Sequence, residues 1–200
     1  AKAGKVITNL TVDQEKQYQV MRDEYLKKIS DMKQYLPIRP EMTDGTKIEV
    51  CLNVGSAEKS ELELEEYTDG VGLFRTEFLY MSKKQLPTEE EQFEVYKKIA
   101  EVYGERPVVI RTLDIGGDKK LDYLELPQED NPFLGLRALR LCFEMKPIFK
   151  TQLRAILRAG VYGNIWIMFP MVGSIGDIRF AKQIVEEVKR ELDQEEIPYD

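Results

Sequence analysis

Four short apolar segments, each followed by a stretch of helical periodicity, are the feature that most restricts the fold of this chain. They are KIEVCLNVG, GVGLFRT, RPVVIRT and NIWIMFPMV, and they are rich in Val, Ile and Leu. Continuous apolar strands of this kind are typical of a parallel sheet that is covered by helices. The chain is therefore predicted to be α/β, with about four βα units.

Repeated βα units occur both in closed (β/α)8 barrels and in open doubly wound sheets. A closed barrel needs eight strands and about 250 residues, whereas this chain has 200 residues and four predicted strands. We therefore expect a partial (β/α)8 TIM barrel if the architecture is a barrel at all.

A long helix is predicted before the first strand, over residues 11–36. Thr11 and Gln14 form a capping-box signature, and Pro37 ends the helix. Apolar residues recur on one face of it at Tyr18, Met21, Tyr25, Ile29, Met32 and Leu36. Two interpretations are open, a helix packed on its own domain and an exposed linker or partner-binding helix. We predict residues 1–40 as a linker helix and residues 41–200 as the N-terminal half of the barrel domain.

Capping boxes also predict helices beginning after Thr88 and after Ser174. Residues 56–67 are predicted to form a short, highly charged helix. In NPFLGLRALR, Asn131 is predicted to cap a helix that has Pro132 at its first position. That placement puts Arg137 about one turn into the helix.

Composition excludes several classes of function. The net charge of −7 argues against a nucleic-acid-binding protein, and no apolar run is long enough to span a membrane. The N-terminus lacks the apolar core of a secretory signal. Cys51 and Cys142 lie in apolar contexts and are expected to be reduced thiols of a cytoplasmic protein. The chain has no histidine, so it has no imidazole base, imidazole metal ligand or phosphohistidine.

Arg75 and Arg111 occupy equivalent places, each directly after an apolar run and before Thr. Because adjacent parallel strands lie about 4.8 Å apart, the two guanidinium groups are expected side by side at one mouth, where functional groups collect. Such a pair suits a multiply charged anion. The alternative is that each arginine forms a structural ion pair with an acid such as Glu77 or Asp114.

The loop RTLDIGGDKK strengthens the anion-site hypothesis, because its glycines let backbone amides approach an anion and Lys119 adds a charge. Two roles are open for Asp114, orienting Arg111 or reaching a metal. Arg137 is expected near the same mouth.

Six motifs together resemble the phosphoenolpyruvate (PEP)-binding domain of enzyme I, the PEP–protein phosphotransferase family of the bacterial sugar phosphotransferase system. They are DGVGLFRTEFLYM, LPTEEEQFEVY, VVIRTLDIGGDK, NPFLGLRALR, QLRAILRA and IMFPMV. The resemblance implies a (β/α)8 barrel that dimerises. It also implies transfer of the phosphoryl group of PEP, with Mg²⁺, to the enzyme's own histidine and then to the carrier protein HPr.

The resemblance implies roles for particular residues. Arg75 and Arg111 match the family's two arginines for the substrate phosphate. Four further residues fall in motifs that line the same mouth: Asp114, Lys119, Asn131 and Arg137. The family's phosphorylated histidine lies in a domain before residue 1, and its Mg²⁺ carboxylates and its proton-donating cysteine lie on later strands. No catalytic residue and no metal ligand is therefore expected in this chain, which we expect to be an inactive fragment.

Two charged contacts of about 1.5–3 kcal/mol each, set against an association cost of at least about 4 kcal/mol, predict PEP binding weaker than about millimolar. The unpaired edges of strands one and four predict self-association, such as a homodimer. Three rival functions are considered. They are a PEP-binding domain of a pyruvate phosphate dikinase or PEP synthase, a non-catalytic association module, and an α/β domain for an unrelated phosphorylated metabolite.

Overall fold

The structure is a computed structural model that describes residue 4, residues 6–116 and residues 121–200. The predicted site residue Lys119 lies outside the described residues. The chain divides into two compact units, Ala1–Ile48 and Glu49–Asp200. The domain boundary predicted after residue 40 stays a prediction.

The first unit contains helix α1, Val12–Lys33. Thr11 Oγ1 accepts the Gln14 amide at 3.3 Å, and the Gln14 side chain accepts the Thr11 amide at 3.1 Å, so the predicted capping box is confirmed. No residue of α1 is buried. The choice between the two interpretations of this helix stays open.

The second unit alternates strands and helices. Its strands are β1 (Cys51–Val54), β2 (Gly70–Arg75), β3 (Val108–Arg111) and β4 (Ile165–Met168). Its α-helices are α2 (Glu77–Met81), α3 (Glu89–Tyr103), α4 (Ala138–Glu144), α5 (Lys146–Gly160) and α6 (Ile175–Gln194). No helix among the described residues is both long and apolar enough to cross a bilayer.

The four strands form one sheet in the order β1–β2–β3–β4, and every pair is parallel. Strands that follow one another in the chain are therefore neighbours in the sheet, with a crossover between each pair. This topology confirms the predicted α/β class, and it is the arrangement found in half of a (β/α)8 barrel.

The two faces of the sheet differ in burial. Phe74 and Ile110 are fully buried in a cluster with α3 and α5, where the Phe74 ring meets the Tyr96 ring edge-on at 5.9 Å. On β4, by contrast, Trp166 is 60% exposed. Because side chains alternate across a strand, the residues that follow Phe74 and Ile110 point to the open face. These residues are Arg75 and Arg111.

A second apolar cluster joins α4, α5 and α6 to the segment that follows β3. Leu113 and Ile115 are buried in it, at 1% and 0% exposure. The residue between them, Asp114, is thereby held at the strand end on a backbone that the core anchors on both sides.

The helix predicted over residues 56–67 is wrong, since only a 3-10 turn over Glu65–Tyr67 forms there. The Glu61 carboxylate accepts the amide of Gly55 at 2.5 Å and folds the segment into a loop. Only Ala57 and Leu62 are buried in this stretch. It therefore lacks the apolar face that would stabilise a packed helix.

The helix start predicted at Asn131 is also wrong, because α4 begins at Ala138. The Asn131 carbonyl accepts the Leu134 amide in a turn, and the Glu129 carboxylate accepts the Leu136 amide at 2.9 Å. A Cβ at Gly135 would overlap that carboxylate. The side chain of Glu129 thus takes over backbone hydrogen bonding that a helix would have made.

Glu89 is the centre of an ion cluster that joins α3 to α5. Its carboxylate accepts from Arg154 Nε and from Arg158 Nη1, both at 2.6 Å. We expect Glu89→Gln to lower the free energy of unfolding by about 1.5–3 kcal/mol, because it weakens hydrogen bonds between charged groups. Urea denaturation measures the loss.

Glu101→Gln is the matched control on the same helix, since Glu101 faces Lys97 across 4.0 Å and is 53% exposed. Its expected cost is at most about 0.5 kcal/mol. Equal losses in the two variants would contradict a structural role for the Glu89 cluster.

The N-terminus of α6 predicts a pH dependence. The Gly173 amide, followed by that of Ser174, holds the pKa of Asp177 below its ordinary value. Stability from a carboxyl whose folded pKa is depressed is present above the unfolded pKa, about 3.9, and is lost as pH falls through the folded pKa. Asp177→Asn is therefore expected to lower the melting temperature at pH 7, by an amount that shrinks steadily below about pH 4.

Ser174→Ala is the control, because Ser174 Oγ accepts the Asp177 amide at 3.2 Å and does not titrate. Its cost, about 1 kcal/mol, should persist at low pH. Thermal melts at several pH values test both variants, and a pH-independent deficit for Asp177→Asn argues against the assigned capping role.

Candidate functional site

Arg75 and Arg111 end two neighbouring strands at the same level. The register of β2 and β3 makes their Cα atoms direct partners, and Arg111 is in turn paired with Met168 on β4. Both arginines lie at the carboxyl ends of parallel strands, each one residue beyond a buried side chain, Phe74 or Ile110. This end of the sheet is the usual position for a binding site in parallel α/β folds.

Arg111 is held by two carboxylates. Its Nη2 donates to Glu77 Oε1 at 2.6 Å, and its Nη1 lies 3.2 Å from Asp114 Oδ2. The side chain of Glu77 is only 2% exposed, and that of Arg111 is 16% exposed. The contacts of Arg111 match the alternative in which it forms structural ion pairs with Glu77 and Asp114. They also match the role in which Asp114 orients the Arg111 guanidinium.

Asp114 also binds Arg137, so that one carboxylate joins two arginines. Asp114 Oδ1 accepts from Arg137 Nη2 at 2.8 Å and from Arg137 Nε at 3.2 Å. We name Arg75, Glu77, Arg111, Asp114 and Arg137 the rim cluster. Among these five residues, three positive charges face two negative ones.

Arg75 has a different environment from Arg111. Its guanidinium carbon lies 4.6 Å from the centre of the Phe78 ring, a cation–π distance. Within the described part of the chain, Arg75 forms no ion pair, and its buried Nε has no hydrogen-bond partner. The residue also lines a cleft of about 830 Å³ between the loop after β1 and helices α2 and α3. Arg75 thus makes no direct ion pair with a described acid, although the cleft is also lined by Glu58, Glu61, Glu94 and Glu101.

The sequence predicted Arg137 about one turn into a helix. In the structure it is instead the residue just before α4, and its side chain reaches the rim from there. The Ala138 amide donates to the Ile115 carbonyl at 3.2 Å, with Ala138 at φ +52°, so the start of α4 is fixed to the segment after β3. Gly116 permits this approach, because a Cβ there would collide with Arg137 Cβ. Gly116 of the predicted loop therefore allows Arg137 to pack closely against the segment after β3.

Asn131 is exposed in the turn before Gly135 and is not among the residues of the rim cluster. The sequence analysis named Glu77 only as a structural partner and missed the contribution of Thr76. The Thr76 hydroxyl donates to the Arg111 carbonyl at 2.8 Å and so ties the end of β2 to the end of β3. The repeated Arg-Thr pair in the two strands was the available signal for this contact.

The cysteines do not contribute to the rim cluster. Burial raises the pKa of the Cys142 thiol to about 12, and burial also raises the pKa of the Cys51 thiol. Both are free, and both are protonated at neutral pH. Within residues 6–116 and 121–200, no three His, Cys, Asp or Glu side chains are grouped as a metal site would require.

Three known proteins that are similar to this chain carry the same name. The phosphoenolpyruvate-protein phosphotransferase of Staphylococcus aureus is 50% identical over 195 residues, which are 96% of this chain and 34% of that protein. The protein of the same name from Priestia megaterium is 48% identical over 192 residues, with the same two shares. That of Geobacillus stearothermophilus is 47% identical over 189 residues, or 94% of this chain and 33% of the relative.

These similarities confirm the resemblance found in the sequence motifs. The chain spans about a third of the length of the curated relatives it matches. A family described as PEP-utilising enzyme, PEP-binding domain, matches residues 30–200, which include the whole of the rim cluster. Because this match extends over most of the sequence, the chain belongs to the family of PEP-utilising enzymes, with residues 30–200 matching their PEP-binding domain.

Proposed function

We propose that this chain is the PEP-binding part of a PEP–protein phosphotransferase and that Arg75 and Arg111 hold the phosphate of PEP. The observation that carries the proposal is the direct pairing of these two residues at the carboxyl ends of β2 and β3. The excess of one positive charge in the rim cluster supports it. Planar guanidinium groups offer paired N–H donors that match the oxygens of phosphate and carboxylate.

The two arginines are suited to different parts of the task. Arg111 has five N–H donors, and Glu77 and Asp114 engage its two terminal nitrogens while fixing the plane of the group. Arg75 has no described acid partner, so an incoming anion does not have to displace one. We assign orientation of the phosphate to Arg111 and charge neutralisation to Arg75, with Arg137 acting on Asp114.

The reaction of the whole protein requires groups from other parts of it. The chain contains no histidine, so the phosphorylated residue, and the docking of HPr, belong to a further domain in this proposal. Mg²⁺ supplies charge neutralisation in phosphoryl transfer generally. The described carboxylates at the rim, Glu77 and Asp114, are engaged with arginines, and among the described residues no group of three acidic, Cys or His side chains could hold the ion. The role of this chain is to bind and orient PEP.

The relatives distinguish among the rival functions. All three that are named above are PEP–protein phosphotransferases, and none is a pyruvate phosphate dikinase or a PEP synthase. The reduced state of Cys51 and Cys142 supports a cytoplasmic location. Association remains a second candidate function, favoured by the exposure of Trp166 on the open face.

The proposal predicts that Arg75→Lys weakens PEP binding by about tenfold, because lysine keeps the charge but loses the planar pair of donors. Two-dimensional NMR titration of the chain with PEP and with inorganic phosphate measures the affinity. Arg190→Lys is the matched control, since Arg190 lies exposed on α6 and donates to the Glu186 carbonyl. Equal affinities for all three proteins, or no saturable binding to the unmodified chain, would contradict the proposal.

Self-association through the open face predicts an apparent mass that rises with concentration. Trp166→Lys should shift this equilibrium towards monomer, because it places a charge on exposed apolar surface. Ile175→Lys is the control, as Ile175 is 72% exposed at the start of α6. Light scattering over a concentration series measures the apparent mass. A monomeric mass at every concentration would contradict self-association.

A further inference from the structure

A chain of buried hydrogen bonds lies beneath the rim cluster and connects the ends of β2 and β3 to helices α3 and α5. At its centre is Gln152 of α5, which is fully buried although it is polar. Buried amides are normally retained only where their hydrogen-bonding groups find partners. The partners of Gln152 therefore indicate what its side chain does.

The partners of Gln152 lie at both strand ends. Its Oε1 accepts the Leu113 amide at 2.8 Å, two residues after Arg111. Its Nε2 donates to Thr76 Oγ1 at 3.2 Å, one residue after Arg75. A single side chain from the helix layer thus holds the backbone after β3 and the first residue after β2.

Gln152 also fixes the direction of the Thr76 hydroxyl. A hydroxyl has one proton to donate. Because Thr76 Oγ1 accepts from Gln152, that proton is directed to the Arg111 carbonyl, which it reaches at 2.8 Å. The bond from Thr76 to Arg111 joins the two strand ends directly, and Gln152 holds it in place.

The other end of the network is anchored far from the rim. Gln152 Nε2 also donates to the Tyr96 hydroxyl at 3.3 Å, and Tyr96 and Tyr80 both donate to Gln92 Oε1 at 3.1 Å. Burial raises the pKa of both phenols, so they stay protonated donors at neutral pH. From Gln152 Nε2, donation therefore continues along two branches, through the Thr76 hydroxyl to the Arg111 carbonyl and through the Tyr96 hydroxyl to Gln92 Oε1.

We infer that Gln152 is a positioning residue for the anion site, acting through Thr76 and Leu113 to set the spacing between Arg75 and Arg111. The inference rests on the proposed function. Two guanidinium groups bind one phosphate together only when their separation matches the spacing of its oxygens. Misplacement of a positioning group by about 1 Å has a large effect on function. Without the Gln152 amide, the Leu113 amide and the Thr76 hydroxyl lose the one side chain that contacts both of them.

The test compares variants that differ in the bond they remove. Gln152→Leu removes both contacts with the strand ends, whereas Gln92→Leu breaks the same network at its far end and leaves those contacts intact. Thr76→Val removes only the hydroxyl, and Thr76→Ser restores it. Each protein is titrated with PEP and with inorganic phosphate by NMR, and its unfolding is followed by urea denaturation.

A second readout does not depend on binding. The ¹⁵N and ¹H shifts of the Arg75 and Arg111 Nε–H groups report the surroundings of the two side chains in the absence of any anion. We expect these shifts to change in Gln152→Leu and Thr76→Val, and to keep their original values in Gln92→Leu and Thr76→Ser.

The expected result is a loss of PEP affinity of at least about fivefold in Gln152→Leu and Thr76→Val. Thr76→Ser and Gln92→Leu should bind like the unmodified chain, although Gln92→Leu is destabilised because two buried phenols lose their acceptor. Unchanged PEP affinity and unchanged arginine shifts in Gln152→Leu would overturn the positioning role of Gln152 and leave the proposed function intact. Absence of binding by the unmodified chain overturns the proposed function, and the arginine shifts then still decide whether Gln152 positions the two side chains. If Gln152→Leu does not fold, the Thr76 pair decides.

Discussion

The parallel pairing of β2 with β3 is the constraint on which the rest of the site depends. It sets Arg75 opposite Arg111, with their backbones about one strand spacing apart. A shift of one residue would send one of the two side chains towards the buried helix layer, where Phe74 and Ile110 now pack. The register is thus protected by the core, since it cannot slip without burying a guanidinium and exposing an aromatic ring.

The rim cluster combines fixed and available charge. Buried ion pairs such as that of Arg111 with Glu77 stabilise a fold weakly, because desolvation offsets their attraction, but they hold a side chain in one orientation. Arg75 instead rests on the Phe78 ring, which needs no counter-charge nearby. In the proposed site, an anion between the two would meet one guanidinium that is already oriented and one that makes no direct ion pair with a described acid.

The helix layer acts as more than cover for the sheet. Gln152 extends from α5 to the strand ends, and Tyr96 and Gln92 connect it to α3. The face opposite this layer is open at Trp166. The rim cluster lies at the strand ends, and its Arg75 also lines the cleft between the loop after β1 and helices α2 and α3. The chain spans about a third of the length of its relatives.

The sequence by itself determined the features that local interactions encode. Continuous apolar segments predicted the four strands, and hydroxyl residues followed three positions later by Gln, Glu or Asp predicted the helix starts at Thr11, Thr88 and Ser174. The equivalent Arg-Thr pairs predicted that Arg75 and Arg111 would be neighbours, because strand order and register follow from the repeated unit. The sequence did not predict the start of α4 at Ala138, because the Glu129 side chain accepts a hydrogen bond from the Leu136 backbone just before it. Only the tertiary structure decided that Glu77 and Asp114 hold Arg111, and that Gln152 meets Thr76 across a separation of 76 residues. Such contacts depend on how the helices pack on the sheet, and no local pattern in the chain specifies them.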